Sequence, residues 1–276
     1  MTAVFDPVVR RYFRGKKVLV TGGSSGIGEA LALAMIALDA EVAVVAHRPE
    51  KLGRAVTEAK ARVFVCDLSD AAQTARLAEQ MLAEFGTPDV LVNNAGFATY
   101  RPFEQIPADE MEALLSVNLL AALRLTRALL PGFIARRSGA IVNMASIAGR
   151  LPLTPNMAYT AAKHGMVAWS ECLSYELARF GIQVNVICPG RVETAFFDHE
   201  TFRTRAERPE TRYTVPLERV VAGTLAAIAR GRVVTYIPWT LALFAWAKSA
   251  FPFIVGPFYR RLVLGRVETL YQSQNR

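Results

Sequence analysis

Three cysteines and three histidines are all that this 276-residue chain carries, and neither type clusters. Cys66, Cys172 and Cys188 stand far apart inside apolar runs, with no CxxC pair and no mixed His/Cys group. Such spacing argues against a structural zinc site and suits a reducing, cytoplasmic setting. The opening MTAVFDPVVRRYFRGKK lacks the long apolar core and small-residue cleavage site of a secretion signal. No uninterrupted apolar run of membrane-spanning length is expected either; the nearest candidate, Ile237 to Val255, is broken by Pro238, Lys248 and Pro252. Nucleic-acid modules are missing as well. The net charge of +8, from 32 Lys+Arg against 24 Asp+Glu, is spread along the chain rather than gathered into a basic helix or finger. No nucleic-acid partner is expected. The surplus suits an Arg-rich solvated surface, an anionic cofactor or an anionic membrane surface.

What is present fits a large core. Hydrophobic residues make up 52% of the chain and charged ones 20%, the balance of a globular protein rather than a disordered one. Short β-branched runs alternate with helical stretches. Lys16 to Thr21, Glu41 to Ala46, Arg62 to Cys66, Asp89 to Asn93, Ala140 to Ala145, Ile182 to Ile187 and Val233 to Ile237 read as seven strands. Most are continuously apolar, as strands are when helices cover both faces of a parallel sheet. Ala71 to Phe85 and Met111 to Leu130 have helical composition and length. The repetition predicts an α/β fold, a doubly wound seven-stranded parallel sheet with helices on both faces. No linker or composition break appears before about Ile237. We therefore expect an N-terminal arm over 1–15, a single catalytic domain over 16–237 and a C-terminal extension over 238–276.

The first strand runs into Thr21-Gly22-Gly23-Ser24-Ser25-Gly26-Ile27-Gly28 and then a helical EALALAMIAL. Between a first strand and a first helix, such a turn can hold the pyrophosphate of a dinucleotide against the helix N-terminus. Gly22 allows the tight turn, Gly26 lets backbone N–H groups approach the phosphates, and Gly28 lets helix and strand pack closely. The same residues also fit G-x-S-x-G, the nucleophile elbow of serine hydrolases, with Ser24 as nucleophile. That alternative needs an acid and a histidine downstream, and His47, His164 and His199 offer no convincing partner arrangement. The second strand ends Val44-Val45-Ala46-His47-Arg48 without the carboxylate that an NAD-selective site places there. Arg48, with His47, can instead pair with a 2′-phosphate, which favours NADP(H) over NAD(H). The bland alternative is that both are ordinary surface residues.

Taken together, TGGSSGIG, Asp67 in CDLS, Asn93-Asn94-Ala95-Gly96 after the fourth strand, Ser146, Tyr159-x-x-x-Lys163 and Pro189-Gly190 resemble the short-chain dehydrogenase/reductase family over roughly Lys16 to Ile237. The resemblance implies a Rossmann-like fold and hydride transfer between a nicotinamide dinucleotide and a carbonyl/alcohol pair. It makes Tyr159 the proton donor and acceptor. Lys163, four residues on and on the same helical face, would lower the phenol's pKa and hold the nicotinamide ribose. Ser146 would hydrogen-bond the substrate oxygen, and Asn118 would support a water-linked proton path to Lys163. The cofactor residues implied are Gly22, Ser24, Ser25, Gly26, Ile27, Gly28, His47, Arg48, Asp67, Leu68, Asn94, Ala95, Gly96, Tyr159, Lys163, Pro189, Gly190, Val192 and Thr194. No metal is implied. Cys188 reads as packing. A homodimer or homotetramer is expected, and a protein that keeps the fold but has lost catalysis is the alternative to an enzyme.

Two stretches depart from the common pattern. Residues 195–216 are polar and charged and read as a substrate lid. After Ile237 the chain continues as IPWTLALFAWAKSAFPFIVGPFYRRLVL, apolar and aromatic, where many family members end. A packing arm or dimer contact competes here with peripheral membrane contact through 238–264, since Arg260, Arg261 and Arg266 flank the apolar run. The tail hints at a hydrophobic substrate such as a long-chain keto compound, a sterol or a sphingoid ketone.

Overall fold

The structure is a computed structural model that describes residues 6–48, 52, 58, 61–198, 200–203 and 214–274. Seven strands form one parallel sheet: β1 Lys17–Thr21, β2 Glu41–Ala46, β3 Arg62–Val65, β4 Val90–Asn93, β5 Gly139–Met144, β6 Ile182–Pro189 and β7 Val234–Ile237. Their order across the sheet is β3-β2-β1-β4-β5-β6-β7. The chain moves outward in one direction from β1 to β3 and in the other from β4 to β7. The switch point therefore lies between β1 and β4, and the crevice beyond their C-terminal ends is where an open α/β sheet receives ligands.

Alternation along each strand explains both core layers. Val18 and Val20 of β1 join Val42, Val44, Val90, Val92 and Val142 on one face. Leu19 joins Ala43, Val45, Leu91 and Ile141 on the other. The first face is covered by α1 Pro7–Phe13, α2 Gly26–Ile36 and α8 Leu217–Ala229. The second is covered by α3 Ala71–Glu84, α5 Ala121–Arg136 and α6 Met157–Ala178. The expected N-terminal arm is thus α1 in part, capped by Asp6 and pinned by buried Val9 and Phe13.

A short α4, Ala108–Leu115, leads through a π turn, Ser116–Leu120, into α5. The continuous stretch 108–136 has the length and hydropathy of a membrane span, which the sequence reading did not find. Ala121, Ala122, Leu125, Leu129 and Phe133 within it are buried in the domain, the position of a core helix. Beyond β6 lies a single helical turn, α7 Glu200–Arg203. Beyond β7 the extension folds as α9 Thr240–Ala250 and α10 Pro252–Gln274.

Candidate active site

The glycine-rich turn is held by close approach to β4's exit. Thr21 Oγ1 accepts hydrogen bonds from the N–H groups of Asn94 and Ala95 at 2.9 and 3.0 Å. The Asn94 amide donates back to the carbonyls of Thr21 and Gly22 at 3.0 and 3.2 Å. A Cβ on Gly28 would stand 2.2 Å from the Gly22 oxygen and 2.4 Å from Asn94 Nδ2. Only glycine fits that contact. Gly22 and Gly26 have φ of +68° and +58°, in the left-handed region that glycine enters cheaply. Ser25 precedes α2 in extended conformation and makes no side-chain cap. The first N–H groups of α2 are therefore available to an anion such as a pyrophosphate.

Neighbouring loops converge on this turn. A Cβ on Gly26 would meet the Thr194 side chain at 3.3 Å, so the segment after β6 closes over the start of α2. There Val192 is buried and Gly190 N–H donates to the Ile237 carbonyl at 2.8 Å, tying Pro189-Gly190 to β7. Ser24 and Ile27 lie half-buried in the turn, and Leu68 is buried. Beyond β2, His47 and Arg48 are exposed, and His47 Nε2 lies 3.8 Å from an Asp67 oxygen. Burial would raise the Asp67 carboxyl, but the Ser69 hydroxyl and N–H, with His47 beside them, hold it below its ordinary value. His47 is thus turned toward a carboxylate, and Arg48 is exposed beside it.

Ser146 stands just past β5 and Tyr159 and Lys163 on the first turns of α6. The Ser146 side chain lies close enough to the Tyr159 hydroxyl to lower its pKa, and Ser146 Oγ accepts from Ala148 N–H at 3.1 Å. Lys163 is buried, donates to the Met144 carbonyl at 2.8 Å, and has Nζ 5.5 Å from the Tyr159 ring centre. Burial pushes the Tyr159 phenol up to about 12, with the nearby Ser146 hydroxyl opposing it, and pushes the Lys163 ammonium down to about 8. The expected lowering of the phenol is therefore outweighed in the protein itself by desolvation.

Asn118 sits in the π turn, fully buried, donating to the carbonyls of Phe97 and Leu114 at 2.8 and 2.9 Å. Its Oδ1 has no partner among the described residues. A Cβ on Gly96 would lie 2.5 Å from that oxygen and 3.6 Å from Lys163 Nζ, so Gly96 leaves both groups facing one small space. Cys188 is buried in β6 and burial pushes its thiol up to about 12, the behaviour of a packing residue. No described histidine is placed against Ser24, the nucleophile of the hydrolase alternative, by a hydrogen bond. His164 Nδ1 is bonded to the Thr160 carbonyl at 2.9 Å, His47 faces Asp67, and His199 lies outside the described residues.

An aromatic wall opposite the hydroxyl pair escaped the sequence reading. Phe196 packs on Tyr159 with ring centres 5.6 Å apart, Phe197 follows at 5.2 Å, Phe202 at 5.3 Å and Tyr100 at 5.7 Å. The Phe-Phe pair two residues after Thr194 was the available signal, hidden by the charges that follow it. Both flanks of the expected lid are docked: Thr201 and Phe202 are buried, and Val215 N–H donates to the Arg191 carbonyl at 2.7 Å. Residues 204–213 of that lid, with most of its charges, lie outside the described residues.

Comparison with known proteins gives this geometry a family. The short chain dehydrogenase family matches residues 16–204, more than half of the chain. The chain belongs to the short-chain dehydrogenase/reductase family. Ketoacyl reductase HetN of Nostoc is 35% identical over 201 residues, 71% of this chain and 69% of that protein. The 3-oxoacyl-(acyl-carrier-protein) reductase FabG of Salmonella typhimurium is 33% identical over 224 residues, 80% of this chain and 85% of its own length. Among solved structures, a Sphingobium yanoikuyae short-chain dehydrogenase in complex with NADPH superposes with a TM-score of 0.74 at 28% identity, covering 87% of this chain and 95% of that one. A Burkholderia phymatum short-chain dehydrogenase/reductase in complex with NAD gives 0.76 at 26%, covering 88% and 95%. The present chain is thus an oxidoreductase of this family.

Proposed function

We propose that this short-chain dehydrogenase/reductase is an NADPH-dependent reductase that turns a ketone or aldehyde on a hydrophobic substrate into the alcohol. The observation that carries the reading is Ser146 beside the Tyr159 hydroxyl, with Lys163 buried and its Nζ 5.5 Å from the Tyr159 ring centre. The coenzyme, when bound, supplies the hydride. Its pyrophosphate would rest on Gly22, Ser24, Ser25, Gly26, Ile27 and Gly28, its adenine beside Asp67 and Leu68, and its nicotinamide end against Asn94, Ala95, Gly96, Pro189, Gly190, Val192 and Thr194. The free N–H groups of α2 and the close packing at Gly28 support that placement.

In this reading Tyr159 donates its phenolic proton to the substrate oxygen as negative charge builds there, and Ser146 donates a hydrogen bond to the same oxygen. A phenol held up to about 12 by burial keeps its proton at neutral pH, the form that reduction needs. Lys163 positions Tyr159 and reaches toward the ribose. The unpartnered Asn118 Oδ1, facing the same space as Lys163 Nζ, can hold a water through which the proton is replaced. Arg48 pairs with the 2′-phosphate, and relatives in complex with either coenzyme make this the point most in need of measurement. The aromatic wall of Phe196, Phe197 and Phe202 gives the substrate an apolar surface.

The test is a titration of the purified chain with NADPH and NADH, followed by nicotinamide fluorescence, then ketones of graded chain length assayed with both coenzymes. NADPH should bind at least about tenfold tighter, as loss of one charge-assisted pair implies, and turnover should favour the longer ketones. Equal binding of NADH would remove the preference. No turnover of any carbonyl compound would remove the reductase.

A further inference from the structure

The extension after β7 presents a surface that the oxidoreductase chemistry leaves unused. Helices α9 and α10 meet at a bend of 115°, measured between Thr240–Ala250 and Pro252–Gly265. On their outer side Trp239, Trp246, Phe253, Ile254 and Phe258 are 65%, 63%, 93%, 75% and 68% exposed. Large apolar side chains this exposed, gathered on two successive helices, mark an interaction surface. The inner side is anchored. Leu151, Ala245 and Tyr259 form a small buried cluster, and the Tyr259 hydroxyl donates to the Pro152 carbonyl at 2.5 Å. A Cβ on Gly190 would stand 3.2 Å from Leu241 Cδ1. The elbow therefore rests on the segment just after Ser146 and on the Pro189-Gly190 loop, at the rim of the crevice.

Charge selects the occupant. From Pro238 to Val267 the chain carries Lys248, Arg260, Arg261 and Arg266 and no acidic residue. Arg260 and Arg261 are exposed and line an open groove of about 740 Å³ along α10, with Phe253, Pro257, Leu264 and, at its far end in sequence, Glu268. A two-fold contact with a second copy would set this patch against itself, bringing four arginines together with only the two Glu268 carboxylates to offset them. An anionic bilayer offers the opposite charge and an apolar interior, and tryptophans settle at its interface. Neither apolar segment is long enough to span it, and the bend of 115° keeps the two from adding into one straight span. Eleven residues of α9 are about 16 Å long and the fourteen to Gly265 about 21 Å, against a hydrocarbon core of about 30 Å.

We propose that the α9–α10 elbow seats in the surface of an anionic lipid bilayer, with Trp239, Trp246, Phe253, Ile254 and Phe258 in the apolar layer, Arg260 and Arg261 on lipid phosphates, and the mouth of the crevice held against the membrane. A carbonyl substrate dissolved in the bilayer then reaches Tyr159 without crossing water. That last step rests on the reductase reading above; the seating itself does not.

The experiment uses the full chain and vesicles of phosphatidylcholine, pure or mixed with phosphatidylglycerol. The protein should float with the mixed vesicles, and brominated acyl chains should quench Trp239 and Trp246 fluorescence. The double variant Arg260→Glu/Arg261→Glu should lose at least about tenfold in vesicle affinity, and Phe253→Glu/Ile254→Glu should lose binding altogether. These side chains are exposed, so both variants should fold and bind NADPH as the parent does. Failure of the parent to float, or quenching no greater with brominated than with ordinary lipid, overturns the proposal. So does a lipid-free dimer, seen by sedimentation, that Phe253→Glu/Ile254→Glu dissociates, because a second copy would then own the patch. Vesicle binding without NADPH binding would instead overturn the reductase reading and leave the seating intact.

Discussion

Lys163 Nζ lies 5.5 Å from the centre of the Tyr159 ring while its hydrogen bond goes to the Met144 carbonyl at 2.8 Å. The amine is thus held in place beside the phenol ring and out of water. Burial presses Lys163 toward its neutral form, down to about 8, and Tyr159 toward its protonated form, up to about 12. For Lys163 the sign of the stability effect follows directly. The unfolded amine, at its ordinary value of 10.5, holds a proton more firmly than the folded one, so this group costs stability at neutral pH and the cost fades as pH rises. The buried thiols Cys66 and Cys188, raised to about 11 and about 12, pull the other way. The readout is therefore the difference between the parent and Lys163→Met. Urea unfolding at pH 7.5 and 9.5 should show the parent gaining roughly 2 kcal/mol relative to the variant. A constant difference would mean that the folded amine titrates as it does in water.

Replacing Tyr159 by Phe removes the proton donor and leaves the ring against Phe196. Carbonyl reduction should fall by about 10²–10⁴, the usual worth of a positioned general acid. NADPH affinity, read by fluorescence, should change little. Turnover equal to the parent's would remove Tyr159 from the chemistry.

Gly28→Ala tests the turn. Its methyl would overlap the Gly22 oxygen and Asn94 Nδ2, neither of which can withdraw without breaking the bonds between Asn94 and the Thr21 and Gly22 carbonyls. Thermal or urea unfolding should report a loss of about 1–3 kcal/mol, and NADPH binding should weaken with it. Gly256, with no atom within 4 Å of its added Cβ, is the control: Gly256→Ala should leave NADPH binding alone.

The order in which these features were legible has physical causes. The strands were plain because a parallel strand covered on both faces must be apolar at every position, as Val18, Leu19 and Val20 are. The turn was plain because the contacts at Gly22 and Gly28 exclude any side chain. Spacing alone put Tyr159 and Lys163 on one face of α6. It carried no information on desolvation, and the expected lowering of the phenol was for that reason reversed. The aromatic wall was hidden because Phe196 and Phe197 precede a run of arginines and glutamates, and composition averaged over 195–216 reads as polar. The contact between Phe196 and Tyr159 joins the segment after β6 to the start of α6, far apart in sequence, which no local pattern records. The elbow was hidden likewise, since Pro257 lies within α10 without ending it.

Arg48 is exposed past β2, whereas His47 is turned toward Asp67, so the coenzyme preference should rest on Arg48. Arg48→Asp replaces a cation by the carboxylate that suits an unphosphorylated ribose. Affinity for NADPH should fall about tenfold to a hundredfold, the worth of a charge-assisted contact, while that for NADH holds or improves. Parallel losses for both coenzymes would show that Arg48 serves the loop and not the phosphate.

Phe196→Ala should separate substrate recognition from proton transfer. The ring touches Tyr159 and opens the chain of aromatic contacts through Phe197 and Phe202 to Tyr100. It is part of no hydrogen bond to Ser146 or Lys163. An apolar substrate lying along the wall would lose the burial of one aromatic side chain, worth about 1.5–3 kcal/mol, whereas a small ketone that reaches only Ser146 and Tyr159 loses almost nothing. The variant should therefore lower kcat/KM about tenfold to a hundredfold for long-chain or aromatic ketones, chiefly through KM, and leave a short ketone within about twofold. Equal losses on both would place Phe196 behind Tyr159 as a support for the phenol. No loss on either would move the substrate to another wall.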